Sequence, residues 1–132
     1  MKIIYVAAAA IINQDGSILL AKRPEGKSMA GLWEFPGGKI ESGETPERAL
    51  VRELAEELAI TVSEDSLEPI TFASHAYESF HLFMPLYSVK RWVGTPRPTE
   101  GQELAWVAPQ DLHSYPAPAA DIPRFDALST GT

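Results

Sequence analysis

The sequence predicts an α/β domain, and three observations carry that prediction. Apolar segments of strand length recur along the chain at about 3–13, 17–23, 70–77, 81–91 and 103–108. One segment, from Pro46 to about Leu58, instead repeats its apolar residues at helical spacing, with Ala49, Leu50, Leu54 and Leu58 on one stripe. Between these two kinds of pattern, residues 24–44 form a long loop rich in glycine, and a long irregular loop in a small domain is often functional.

Taken in order, the elements justify themselves locally. Lys2 followed by the apolar run Ile3 to Ile12 superficially resembles a secretion signal, with Ala8 and Ala10 as a small-residue cleavage pattern. A buried strand is the preferred reading, because Asn13-Gln14-Asp15-Gly16 is a hairpin turn signal and Ser17 to Ala21 supplies the second arm. Pro85, inside the run Phe83 to Tyr87, cannot donate to a ladder, so that strand is expected at an edge or bulged. Thr45 is the expected N-cap of the helix and Pro46 its first residue. Short helices are expected from Pro109 and over Ile122 to Leu128, with the Pro- and Ala-rich stretch 114–120 as an ordered loop. The chain shows no repeats, and residues 1–132 read as a single domain.

Composition narrows the function. A chain of 132 residues buries roughly two-thirds of its unfolded surface and needs no covalent staples. It contains no cysteine, which excludes disulfides, thiolate catalysis and thiolate zinc sites and fits a reducing cytoplasm. The longest apolar run is too short for a membrane-spanning helix. A net charge of -7 repels polyphosphate at long range and argues against a nucleic-acid polymer as partner. A small nucleoside triphosphate remains a feasible partner if cations bridge it to carboxylates. The oligomeric state is left open.

Such carboxylates are present. Glu53, Glu56 and Glu57 are spaced i, i+3 and i+4 and share one face of the predicted helix. The like-charged Glu53–Glu57 pair costs only about 0.2–0.5 kcal/mol in an isolated helix, so repulsion alone does not demand a metal. A solvated acidic face is the ordinary explanation of such a pattern. Here, however, a Gly-rich loop feeds straight into the helix, and glycines let backbone approach a ligand closely. Hard divalent cations take several oxygen ligands, and magnesium commonly keeps waters and binds substrate phosphates.

The run Gly38, five residues, Glu44, seven residues, then Arg52-Glu53-Leu54-Ala55-Glu56-Glu57-Leu58-Ala59-Ile60 resembles the Nudix box. Residues 22–44, the triplet Glu100-Gly101-Gln102 and the segment Ala120-Asp121-Ile122-Pro123 resemble the MutT branch of that family, and the likeness covers about residues 3–128. It implies an α/β/α sandwich around a mixed β-sheet. One position departs: the family usually has glycine where this chain has Ala59. That glycine suits a left-handed helix C-cap, so Ala59 must either adopt the conformation at about 1 kcal/mol or end the helix differently.

The resemblance also implies roles. Glu53, Glu56 and Glu57 bind divalent metal, with the Gly37 carbonyl as a fourth protein ligand; the expected ion is Mg²⁺, with Mn²⁺ as a substitute. Arg52 orients its glutamate neighbours, and Glu44 supports Arg52 or adds an outer contact. Glu100 matches a loop glutamate that either binds metal or deprotonates the attacking water. Arg23 and Lys39 are candidate phosphate contacts, each equally readable as a surface charge. The implied reaction is attack of water on a triphosphate, releasing nucleoside monophosphate and pyrophosphate. For the base, Phe35 reads either as a stacking ring or as core, and His75, Tyr77, Phe80 and His81 are nearby candidates. Asp121 matches a position that carries an amide or carboxylate reading the base, and it also reads as an N-cap for the last helix. A carboxylate there accepts from the N1–H and N2–H₂ of guanine or from the N4–H₂ of cytosine. The expected substrate is 8-oxo-dGTP, with (d)CTP or a modified pyrimidine triphosphate as the alternative. A nucleotide-sensing module without catalysis is a third reading, opposed by the intact Glu53, Glu56, Glu57 and Glu100.

Overall fold

Strand β1 (Ile3–Ile11) is the axis of the fold because its second half is small and apolar on both faces. Ala7, Ala8, Ala9, Ala10 and Ile11 are all essentially inaccessible to solvent. Side chains alternate across a strand, so Ala7, Ala9 and Ile11 meet helix α1 (Pro46–Leu58), while Ala8 and Ala10 meet Phe35, Leu112 and Phe125 on the other side. The computed structural model describes residues 2–129.

The remaining strands are β2 (Ile18–Lys22), β3 (Trp33–Glu34), β4 (Gly37–Lys39), β5 (Glu68–Ala76), β6 (His81–Val89) and β7 (Glu103–Val107). One sheet has the order β4-β1-β6-β5, with β1 antiparallel to β4 and parallel to β6, and β6 antiparallel to β5; it is therefore mixed. The other, β3-β2-β7, is antiparallel. Short 3-10 helices cover Glu64–Ser66 and Pro109–Ser114, and helix α2 covers Ile122–Ser129. The expected α/β sandwich is the fold observed. No helix among the described residues is long and apolar enough to cross a membrane.

Helix α1 follows its sequence signals closely. The Thr45 hydroxyl accepts from the Arg48 amide at 3.1 Å, and Pro46 opens the first turn. Leu50, Leu54 and Leu58 are fully buried, each contributing about 1.5–3 kcal/mol relative to exposure. Ala59 takes the left-handed conformation (φ 59°, ψ 35°). Its N–H reaches the Ala55 carbonyl, and the Ile60 N–H reaches Leu54, so the helix closes as it would with glycine there, and the alanine bears the strain.

Three expectations need correction. The turn at Asn13–Gly16 forms, with Asn13 N–H bonded to the Ser17 carbonyl at 2.9 Å, but its arms do not make a two-stranded hairpin. After the single bridge Ile12↔Ile18 they diverge into different sheets, because β1 pairs with β4 and β6 while β2 pairs with β3 and β7. The strand containing Pro85 is interior, not an edge. Its ladder with β1 lapses opposite Met84 and Pro85, between the pairs Tyr5↔Phe83 and Ala8↔Leu86, which accommodates the missing donor; the bulge lies on neighbouring β5, between Pro69 and Thr71. Finally, residues 24–44 are not all loop. β3 and β4 lie within them and stitch the segment to both sheets, through Ala21↔Glu34 and Ala7↔Gly38.

Candidate active site

The site begins with two glycines. β4 lies so close to β1 that a Cβ on Gly37 would overlap the Ala7 carbonyl oxygen and Ala8 Cα. A Cβ on Gly38 would overlap the Glu53 carboxyl group, so the glycine lets that carboxylate lie directly over the strand backbone. Helix α1 thereby meets the glycine loop at its acidic face.

Arg52 brackets that contact. Its guanidinium binds Glu44 through two bonds, Nε to Oε2 at 2.7 Å and Nη2 to Oε1 at 2.8 Å. Nη1 donates to Glu53 Oε1 at 2.8 Å, and Nη2 also donates to the Lys39 carbonyl at 3.1 Å. The bond from Arg52, helped by the Glu41 amide, holds the Glu44 carboxyl down at about 2, and the same pairing pushes Arg52 further up. Planar bidentate pairing fixes direction as well as charge, so Glu44 and Arg52 act as a rigid support aimed at Glu53.

Glu57 has no such support. It is only 9% exposed, and burial, followed by the charges of Glu34, Glu100 and Glu53, pushes its carboxyl up to about 8; the Gly37 amide relieves this only in part. Burial likewise raises Glu53 and Glu34, opposed in each case by an arginine, Arg52 for the first and Arg23 for the second. Arg23 pairs with Glu34 at 3.0 Å and donates from Nε to the Ser28 carbonyl at 2.6 Å.

These groups line two adjoining cavities. An acidic cleft of about 150 Å³ is lined by Glu34, Glu53, Glu57, Glu100 and Gly37, together with Lys22, Arg23 and Lys27. A more apolar pocket of about 390 Å³ is lined by Phe35, Tyr77, Phe80, Met84, Lys39 and Asp121, among others. Arg23, Glu34 and Gly37 belong to both. A triphosphate on an apolar base has this two-part character.

The apolar pocket is built from the C-terminal segment. Trp33 N–H donates to the Pro116 carbonyl at 2.7 Å and Ala120 N–H donates to Tyr77 Oη at 3.0 Å, which fixes the Pro- and Ala-rich loop. Asp121 is thereby buried, and its Oδ2 accepts from the Phe35 amide at 3.2 Å. Burial pushes its carboxyl up to about 7. The last helix takes its first bonds through the Asp121 backbone carbonyl, from Arg124 and Phe125, while the side chain faces Phe35. The Phe35 ring is core, packed edge-on to Phe125. Tyr77 and Phe80 stack at 5.1 Å on the pocket wall. His81 instead bonds Ser74 at 2.7 Å, and His75 packs edge-on to Tyr77.

The residues expected from sequence thus divide. Glu53, Glu57, Glu100, Gly37 and Arg23 meet at the cleft; Phe35, Lys39 and Asp121 meet at the pocket. Glu56 stands outside, its side chain 58% exposed and 3.5 Å from Arg52, and Glu44 lies behind Arg52. Sequence reasoning assigned nothing to Glu34, Lys22 or Lys27. Glu34 carried only a partial signal: alternation with Trp33 and Phe35 sets it on the opposite face of a short extended segment, without naming its partner.

The donor set suits a hard divalent cation. All the facing side-chain ligands are carboxylate oxygens, and a buried carboxylate surrounded by carboxylates lacks a countercharge that such an ion provides. Among the described residues no three acidic or histidine side chains already close on one point, so the oxygens line a wall and do not form a cage. Magnesium, which keeps waters and takes phosphate oxygens, fits a wall.

Known proteins resemble this chain in sequence and in fold. The family profile described as NUDIX domain matches residues 7–126. The chain is 46% identical to the CTP pyrophosphohydrolase of Escherichia coli, over 97% of this chain and 93% of that protein. It is 41% identical to the 8-oxo-dGTP diphosphatase of Haemophilus influenzae, over 99% and 95%. The solution structure of the E. coli ORF135 protein superposes with a TM-score of 0.85 at 40% identity, covering 98% of this chain and 91% of that one.

Proposed function

This chain belongs to the NUDIX domain family, and we propose on that premise that it is a nucleoside triphosphate diphosphatase whose substrate is 8-oxo-dGTP, cleaved to 8-oxo-dGMP and pyrophosphate. Nudix hydrolases generally need a divalent metal; the ion assigned here is Mg²⁺, with Mn²⁺ able to replace it. The observation that carries the reading is the junction of the acidic cleft and the apolar pocket at Arg23, Glu34 and Gly37. A nucleotide laid across that junction places its phosphates beside the carboxylates and its base against Tyr77, Phe80 and Asp121.

Each side chain then has a task. Glu53 and Glu57, with the Gly37 carbonyl, would hold the cation, and the exposed Glu56 would complete the outer edge of the set, leaving Glu100 free to act on water. A cation held there would supply neutralisation of the charge growing on phosphate oxygens and would favour ionisation of water. Arg52, fixed by Glu44, keeps Glu53 aimed at the cleft. Glu100 accepts the proton of the attacking water. Arg23 meets phosphate oxygens by sharing or exchanging its bond to Glu34, while Lys39, on the wall of the apolar pocket, meets the nucleoside or the phosphate nearest it. Phosphoryl transfer needs positioning and charge stabilisation more than covalent help, and this cleft offers both. Removal of oxidised triphosphates from a cytoplasmic nucleotide pool is the corresponding role.

A second substrate reading has its own support. The relative at 46% identity is named a CTP pyrophosphohydrolase, and the ionised Asp121 carboxylate accepts from a cytosine amino group as readily as from guanine. A panel of triphosphates with Mg²⁺, scored by pyrophosphate release, separates the two. The 8-oxo-dGTP reading expects the highest kcat/KM on that substrate and no activity in EDTA. Highest kcat/KM on dCTP or 5-substituted dCTP replaces it with the second reading, and binding without turnover of any triphosphate overturns both.

A further inference from the structure

The last carbonyls of a helix have no partner within it, and in α1 those carbonyls belong to the residues that carry the acidic face. The loop between Trp92 and β7 satisfies them. Thr99 Oγ1 shares its one proton between the carbonyls of Glu56 and Glu57, the latter at 2.8 Å. Arg97 N–H donates to the Leu58 carbonyl at 2.9 Å. Gln102, only 8% exposed, donates from Nε2 to the Glu57 carbonyl at 3.0 Å. Its other end accepts from the Glu100 amide at 2.8 Å.

One buried amide side chain therefore ties the backbone of Glu57 to the backbone of Glu100. Its orientation is unambiguous, because a flip would set carbonyl against carbonyl and amine against N–H. Gly101, between the two tethered residues, has φ +79°, and this tight turn lets Gln102 reach back to the Glu100 amide. Thr99 anchors the same loop from its other side.

We propose that Gln102 and Thr99 are positioning residues that clamp the Glu100 loop to the C-terminal end of α1, so that Glu100 and Glu57 keep a fixed separation across the cleft. The inference rests on the role given to Glu100 above. A displacement of about 1 Å at a reacting group can cost on the order of 100-fold in rate, so a local clamp of this kind bears on turnover without touching substrate.

The test is a double-mutant cycle on kcat in the metal-loaded, full-length enzyme. Gln102→Met keeps the volume and removes both bonds; Thr99→Val removes the hydroxyl and Thr99→Ser restores it. We expect Gln102→Met and Thr99→Val each to lower kcat about 10- to 100-fold with KM changed less than about threefold, and Thr99→Ser to recover most of the rate. In a Glu100→Gln background the Gln102→Met effect should nearly vanish, because the group it positions is already disabled. Full additivity of Gln102→Met with Glu100→Gln overturns the clamp while leaving the role of Glu100 standing. A Glu100→Gln enzyme with wild-type kcat overturns that role and the clamp with it. If Gln102→Met fails to fold, the Thr99 pair decides the matter: wild-type kcat in Thr99→Val overturns the proposal.

Discussion

Replacing Glu57 with glutamine should abolish turnover and yet make the metal-free protein more stable at alkaline pH. Glu57 sits among Glu34, Glu53 and Glu100, and its carboxyl is pushed from 4.5 up to about 8 by burial and those charges. A carboxyl raised in the folded state contributes its full stability below the unfolded value and loses it as pH climbs through the folded one. The loss therefore falls between about pH 4.5 and pH 8. Borne by Glu57 alone, the displacement corresponds to about 5 kcal/mol. Relaxation and sharing among four coupled carboxylates reduce it, and about 1–3 kcal/mol is the expected penalty at pH 9. Glu57→Gln removes the charge and keeps the shape, so in EDTA at pH 9 its Tm should exceed that of the wild type by roughly 3–15 °C. At pH 4 the two should coincide. Excess Mg²⁺ at pH 8 should raise the wild-type Tm, since a ligand of the folded state stabilises it, and should move the variant little. Differential scanning calorimetry at the three pH values reads all of this. A variant less stable than wild type in EDTA at pH 9, or one offset equally at pH 4 and pH 9, refutes the electrostatic reasoning.

Two other substitutions probe different parts of the account. Asp121→Ala should cost roughly 10- to 100-fold in kcat/KM on the preferred triphosphate, since about 1–3 kcal/mol is lost per base donor left unpaired, and much less on poor substrates, so that the substrate range flattens; steady-state kinetics on the panel checks this, and a uniform loss across bases assigns Asp121 to holding Phe35 alone. Ala59→Gly should relieve the left-handed strain at the helix end and stabilise by about 1 kcal/mol, or roughly 3–5 °C in Tm, with kcat unchanged; a lower Tm would mean that the alanine is not strained there.

Helix α1 and its acidic face were legible in the sequence because every signal for them is local: Thr45 and Pro46 at the start, leucines at helical spacing, glutamates three and four apart. Five of the seven strands among the described residues were legible one by one, but β3 and β4 read as loop, and the pairing partners were not legible at all. The turn at Asn13–Gly16 looks the same whether its arms stay together or part, and which happens depends on β7, some eighty-five residues away, claiming β2. Pro85 was misplaced for a related reason, since an interior strand can skip a bond wherever its neighbour does not need the donor. At the site, the Gly-rich loop before the helix signalled close backbone approach but not that Gly37 would press on Ala7 and Ala8 or that Gly38 would lie under the Glu53 carboxyl, and Glu34 went unassigned because its meaning comes from the cross-strand pairing Ala21↔Glu34, which sets it beside Arg23. The burial of Asp121 could not be read either; it depends on Trp33 and Tyr77 pinning a loop that, as sequence, is only rich in proline and alanine.

In the proposed reaction water attacks the middle phosphorus of the triphosphate, and the cleft releases monophosphate and pyrophosphate. Hydrolysis of the preferred triphosphate in oxygen-18 water with Mg²⁺, followed by mass spectrometry of both products, tests it most directly. One labelled oxygen is expected in pyrophosphate and none in the nucleoside monophosphate. Label in the monophosphate contradicts the point of attack, and inorganic phosphate as the sole small product contradicts the reaction itself.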